Sequence, residues 1–548
     1  MLENEINGKA SLLSALEMYE LLCYEKYAPF DGEIIYSEEH IRRMARIIRR
    51  GRAKGINMNG AVKYAAIAAA AAFAVMGGYI TAEAINNDYF DINQIPDEMP
   101  EYTLNASKTE YTVTGVGSLK SGDIVIPSSY NGIPVTAIGE KAFSGNEKIT
   151  SVVIGEGVRQ IGIGAFENCT SLHTVVMPNS VEYLEADAFY GCTALAETAL
   201  SENIRYIGAS AFENCTSLEE ISVPASVKEI GFSGFRGCVN LRTAELFEGL
   251  EAIGGYAFYG CSSLAEVSLP ESLVTIGEKA FYGCPLTGKL KIDAEYIGES
   301  AFENCTELTE IEINAKTLEK LAFGGCTNLK KARLRVDLEL GESAFGACAK
   351  LEDLILEGEL KTVGAEAFRG CAELYFAALP GSVEHIGDGA FAESGIVSIK
   401  IPEGVTVINK DTFKGCASLR KVELQEGIQT IDSSAFEGCE VLTDVTFPKS
   451  LRSIGRRAFY GCVWLRSAEM QEGLEKISAG AFGGCTFMNY AYLPKSLEYI
   501  GANAFTGNIR MKRFTYSGTM AEWKGIIYNS FYEPGSVAVC TDGEYILN

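Results

Sequence analysis

One residue constrains this chain more than any other: a phenylalanine that returns every 21 to 23 positions. It stands at 143, 166, 189, 212, 235, 258, 281, 302, 323, 345, 368, 391, 413, 436, 459, 482 and 505. All seventeen are Phe, and fifteen follow an Ala. Around it runs the phrase I-G-x-x-A-F-x-G-C-x-x-L-x-x-V-x-L-P-x-S-V. A clean copy passes through Ile207-Gly208, Ala211-Phe212, Cys215, Leu218, Ile221, Val223-Pro224, Val227 and Ile230. A unit of this length cannot bury its own apolar residues, so copies must stack. Stacking puts Phe on Phe and Leu on Leu, and stability then accumulates along the array. The 548 residues therefore need not be three or four globular domains.

The spacing also dictates the turn. Leu-x-x-Val-x-Leu sets its last two apolar residues two apart, on one face of a short strand. The Pro that follows has no N–H and ends the ladder. Val-x-x-Ile-Gly returns the chain through a second apolar edge, and Ala-Phe-x-Gly-Cys fills the turn. This predicts a leucine-rich-repeat solenoid of parallel short strands, about 17 turns of 21–23 residues over residues 137–514. The phrase resembles the BspA-like leucine-rich repeats of bacterial surface proteins, over about residues 102–548. The opening segment YTVTGVGSL…IVIPSSYNGIPVTAIGEKAF resembles the family's partial first turn, an N-terminal cap over 102–136. The segment YSGTMAEWKGI…VAVCTDG, from Tyr516 to Gly543, resembles its closing module, a C-terminal cap over 515–548. The resemblance implies a cell-surface location and, for some members, adhesion to host or neighbouring-cell proteins. It implies no catalytic activity.

Ahead of the repeats, Tyr64 to Ala82 is nineteen residues without a charge, nine of them Ala. That length predicts a single transmembrane helix within 61–84. Arg42, Arg43, Arg46, Arg49, Arg50, Arg52 and Lys54 precede it, and the acidic linker 85–101 follows. The positive-inside rule then puts residues 1–60 in the cytoplasm and the repeats outside. Two other readings stay open: a late signal peptide cleaved after Ala82-Glu83-Ala84, and a buried Ala-rich helix of a soluble protein. Small residues at Ala66, Ala70, Ala74, Gly78 and Ala82 allow a weak helix dimer. Within 1–60, Ser11 to Tyr24 and Ser37 to Arg50 have helical apolar spacing. The second carries an arginine-rich face suited to the anionic inner leaflet, or simply to fixing topology.

The formal net charge is −25, and residues 64–548 hold 37 basic against 63 acidic side chains. A body that acidic repels nucleic acid. Fourteen of the sixteen Cys share one repeat position, which Asn146, Ser394 and Asn508 fill in other turns. A slot that accepts Cys, Asn or Ser reads as small-residue packing by free thiols. Disulfides between adjacent turns are the alternative, since neighbours stand about 5 Å apart. Only His40, His173 and His385 exist, at unrelated places, so no catalytic triad, phosphate loop, metal site or cofactor site can be assembled.

Function on a solenoid lives on the exposed residues of its strands. The x of V-x-L reads Val153, Val176, Ala199, Ser222, Glu245, Ser268, Lys291, Glu312, Arg333, Ile355, Ala378, Lys400, Glu423, Thr446, Glu469, Tyr492 and Thr515. Apolar character returns at Ile355 and Ala378, with Tyr375 and Phe376 alongside, and Tyr490 joins Tyr492. Exposed aromatics anchor partners well, although these could instead pack on neighbouring strands. The reading is a membrane-anchored extracytoplasmic module for protein binding or adhesion, taking an extracellular protein or glycan. The alternatives are a transmembrane sensor acting through residues 1–60 and a structural envelope protein.

Overall fold

The computed structural model describes residues 99–119, 122–528, 530–532 and 535–547. The expected cytoplasmic helices and the membrane segment 64–82 lie outside these residues. Among the described residues, no helix is long and apolar enough to cross a membrane. Two compact units are present, one reaching to Leu250 and including Cys261–Ser268, the other comprising Glu251–Gly260 and Leu269–Asn548.

Both units are built from the same turn, which carries three parallel ladders. In the first unit Glu220–Val223 pairs with Thr243–Leu246, setting Ile221 beside Ala244 and Val223 beside Leu246. Alternation buries Ile221 and Val223 and turns Glu220 and Ser222 outward. The two-residue strand Tyr206–Ile207 pairs with Glu229–Ile230 to make the second ladder. The third has no strand label. The N–H groups of Ser210, Phe212 and Asn214 donate to the carbonyls of Phe232, Gly234 and Arg236 at 2.7–2.8 Å.

Backbone handedness makes the third ladder possible. Ser210 and Asn214 hold φ of +52° and +61°. The same two positions, two residues either side of each Phe, are left-handed in all seventeen turns. They aim alternate N–H groups at the next turn, while Ala211, Glu213 and Cys215 bond within their own. A side chain in this region costs about 1 kcal/mol. Glycine removes that cost at the second position in most turns, which explains the G of A-F-x-G-C.

The rings stack as the spacing requires. Phe143 to Phe235 lie 5.0–5.4 Å centre to centre in the first unit. Phe258 to Phe505 lie 4.9–5.6 Å apart in the second. Each pair contributes roughly 0.5–1.5 kcal/mol beyond its buried area.

The described cysteines are free and buried. The slot is more than a packing position, because all fourteen repeat thiols donate to the carbonyl of the preceding turn's Phe at 3.0–3.3 Å. In the remaining turns the slot bonds differently: Ser394 lies 3.4 Å from the Cys416 thiol, and Asn146 accepts from the Lys148 and Ile149 N–H groups. The S of P-x-S-V is a second staple. Ser450 donates to the Ile428 carbonyl at 2.8 Å and accepts from the Gly427 N–H at 2.9 Å, both one turn back. Ser496 does the same with Leu474 and Gly473.

Turn length varies at the proline corner. In turns 281 and 302 that corner is two residues shorter and has no Pro. The chain then stays extended through Leu308–Leu318, eleven residues that join the first and second ladders. Lys331–Leu340 behaves likewise. The outward ladder begins at Asp123–Ile126, which pairs in parallel with Ser151–Ile154, earlier than the expected start at 137.

Antiparallel strands finish both ends. Glu101–Leu104 runs against Tyr111–Gly115, and Tyr102, Tyr111 and Tyr130 pack there within 6.0 Å of one another. At the other end the helix Met520–Gly525 has a Thr519–Glu522 capping box and buries Trp523 against Tyr516. Val537–Cys540 continues the parallel ladder from Arg513–Tyr516, and Gly543–Ile546 then turns back along it.

Candidate binding face

Each turn presents two outward residues on its first strand, and their character changes along the array. At the start Val125, Val153, Val176 and Ala199 form one row in register. Val153 and Ala199 are only 7% and 9% exposed, so this stretch of the expected outward row is closed by its own neighbours. Small β-branched side chains one strand apart shield each other.

In the second unit the row becomes ionic. Lys289 lies 3.2 Å from Glu310 and 2.9 Å from Glu312, and Arg333 lies 2.8 Å from Glu357. Hydrogen bonds donated to Glu312 and Glu310 hold the Lys289 ammonium above its usual value, and Lys289 holds Glu312 below its own. These pairs are solvent-exposed and contribute little to stability.

The ionic stretch ends at the expected aromatic group. Leu354 bridges Ala377, which sets Ile355 beside Ala378 and Asp353 beside Phe376. Residues 375–378 pair only through isolated bridges at Ala377 and Phe376. Tyr375 and Phe376 are 55% and 59% exposed, and Ile355 and Ala378 also face solvent. Tyr490 and Tyr492 point outward on Tyr490–Leu493 but are half-buried, because Ser467 and Glu469 on one side and Thr515 on the other crowd them.

A further group lies outside the V-x-L column. Two residues after the Cys slot stand Val441, Trp464, Phe487 and Arg510 on successive turns. Trp464 and Phe487 stack at 4.8 Å with planes 5° apart, and the Arg510 guanidinium sits 4.0 Å from the other face of Phe487. Reading that column in the sequence would have found it. Among the described residues, no cluster of His, Cys, Asp and Glu is placed to hold a metal ion.

The sequence matches the family described as BspA type leucine rich repeat region over residues 118–242, 229–339, 295–420 and 406–533. Among curated proteins, none matches the chain. A leucine-rich repeat protein from Bacteroides ovatus is 23% identical, with 80% of this chain and all of that one covered at a TM-score of 0.37. A leucine rich cell surface protein from Faecalibacterium prausnitzii is 24% identical, with 80% and 99% covered at a TM-score of 0.34. The leucine rich repeat protein of T. pallidum is 25% identical, with 47% and 89% covered at a TM-score of 0.30. With seventeen Phe turns, their left-handed flanks and a family match spanning residues 118–533, the chain belongs to the BspA-type leucine-rich-repeat family.

Proposed function

We propose that this chain is a membrane-anchored module for binding or adhesion to an extracytoplasmic protein, with no chemistry of its own. The observation that carries the reading is the group Ile355, Tyr375, Phe376 and Ala378. Apolar and aromatic side chains stand in solvent where the rows on either side are charged. An exposed apolar patch with a polar rim marks an interaction surface. Tyr is a preferred anchor at such surfaces, and truncating an anchor costs about 2 kcal/mol or more.

The variant Tyr375→Ala with Phe376→Ala is therefore expected to weaken partner binding at least roughly tenfold. Its thermal melt should stay close to the parent's, because neither ring enters the Phe stack. Binding is measured against the partner that the chain captures from surface extracts of neighbouring or host cells. Unchanged affinity in the double variant would remove this patch from the function.

Placement outside the membrane is supported by charge: the cluster Arg42 to Lys54 precedes the apolar stretch, and acidic residues follow it. Protease added to intact, wall-stripped cells should digest the repeats and spare residues 1–60. Protected repeats would reverse the orientation.

A further inference from the structure

We propose that the last three Phe-bearing turns carry a second docking site, for an acidic, aromatic-containing segment of extended polypeptide. It rests on reading the outward strand face as a partner surface. The first observation is a reversal of charge. The chain has a net charge of −25. Yet the segments 463–469, 486–492 and 509–515, which lead into and form this face, hold four cations and one carboxylate. Arg513 has a partner in Glu544. Among the described residues, no carboxylate pairs with Arg466, Arg510 or Lys512. In the middle of the array, by contrast, Lys289, Lys291 and Arg333 are each answered by a glutamate.

The second observation is the aromatic stack beside these cations. Trp464 is 44% exposed. Phe487 is covered on one face by Trp464 and on the other by Arg510. A sugar ring needs an open aromatic face, and Phe487 has none. At Phe487 the ring edges, which carry the positive end of the quadrupole, are what remain on offer. Such edges attract carboxylate oxygens and the faces of incoming aromatic rings. Guanidinium and ammonium groups alongside them favour the same carboxylates.

The spacing favours an extended chain. The Asn489 N–H bonds the Arg466 carbonyl at 3.0 Å, so Arg466, Asn489 and Lys512 follow one another on successive turns. Two strand spacings put Arg466 and Lys512 roughly 10 Å apart, about three residues of extended polypeptide. Carboxylates at that interval would meet both cations, with an aromatic residue between them against Trp464 and Phe487.

The test is fluorescence anisotropy of the full chain with three labelled polymers: a glutamate-rich random copolymer of glutamate and tyrosine, polyglutamate, and polygalacturonate. The copolymer should bind at least about tenfold more tightly than either homopolymer. That binding should fade as salt approaches about 1 M, where charges are screened beyond roughly 3 Å. Arg466→Gln with Lys512→Gln should weaken it about tenfold or more, with an unchanged melt. Trp464→Ala should erase the copolymer's advantage over polyglutamate, and Trp464→Tyr should recover part of it. No copolymer binding, or binding indifferent to these variants, overturns the proposal. Equal binding of polygalacturonate, lost in the same variants, also overturns it and makes this a glycan site. Tyr375→Ala with Phe376→Ala should leave the copolymer bound, and a loss equal to that of the charge variants would overturn a separate site. Failure of the wider reading looks different: the Tyr375 and Phe376 variant would keep its captured partner while copolymer binding still fell with the charge variants.

Discussion

Raising the pH past about 9 is expected to unfold this protein, and the thiol column is the cause. Burial pushes Cys169 and Cys371 up to about 12 and Cys416 up to about 11, with the Ser394 hydroxyl easing the last. Burial raises Cys215, Cys238, Cys305, Cys326, Cys439 and Cys462 well above the ordinary value of 9.0. In each case the folded chain holds a proton that the unfolded chain releases. The stabilisation is complete below the unfolded thiol value and is lost as pH climbs from about 9 toward the folded values. Each thiol removes about 1.4 kcal/mol per pH unit in that window. A few of them titrating together match the typical net stability of a domain, about 5–15 kcal/mol. Circular dichroism melts between roughly pH 7 and pH 11 check this. A Ser at several slots should flatten the decline, since a small hydroxyl fills the slot, as Ser394 does, without titrating there. Stability that stays level to pH 11 would show that the thiols are not held neutral by the fold. Unfolding without reductant should also make most of the fourteen available to a thiol label, whereas a disulfide ladder would leave them silent.

The second large effect is expected at the centre of the stack. Phe368 is fully buried, with Phe345 and Phe391 at 5.6 and 5.4 Å on its two faces. Phe368→Ala removes a ring whose neighbours cannot close in, because both are fixed by the ladders of their own turns. The cavity should cost roughly 3–5 kcal/mol, and the loss of two stacked contacts adds to it. Denaturant unfolding of this variant beside Tyr375→Ala with Phe376→Ala separates inward from outward positions. If the surface pair destabilises as much as Phe368→Ala, those rings belong to the core and the face has been misassigned.

The turn was legible in the sequence because its apolar period and its Phe column are set by one physical demand, burial between copies. Strand ends were legible for the same reason, since Pro224 and its counterparts cannot donate to a ladder. What escaped was chemistry that periodicity does not encode. Cys, Ser and Asn look alike as small residues, and only geometry reveals that the thiols, unlike the Ser and Asn, bond the Phe carbonyl of the turn before. Left-handed positions at Ser210 or Leu321 leave no compositional mark, because the residues there are not glycine. Val153 and Ala199 sit in an outward column, yet neighbours of matching size close them off. Trp464, Phe487 and Arg510 lie one column away from the strand positions that the V-x-L pattern highlights, so that pattern does not point to them.

The antiparallel strands at the two ends have a consequence for assembly. A parallel ladder with a repeating pattern is a template: its last strand offers the hydrogen bonds that another copy's first strand could take up. An unpaired strand edge is in general a template for pairing with another chain. Here Gly543–Ile546 runs backward along Val537–Cys540, and Glu101–Leu104 runs backward along Tyr111–Gly115. Each reversal replaces the parallel hydrogen-bonding register with one that the next repeat cannot continue. The two reversals fall on different ladders, so each ladder meets a strand of the wrong direction at one of its ends: the outward one after Arg513–Tyr516, the second one before Ile133–Ile138.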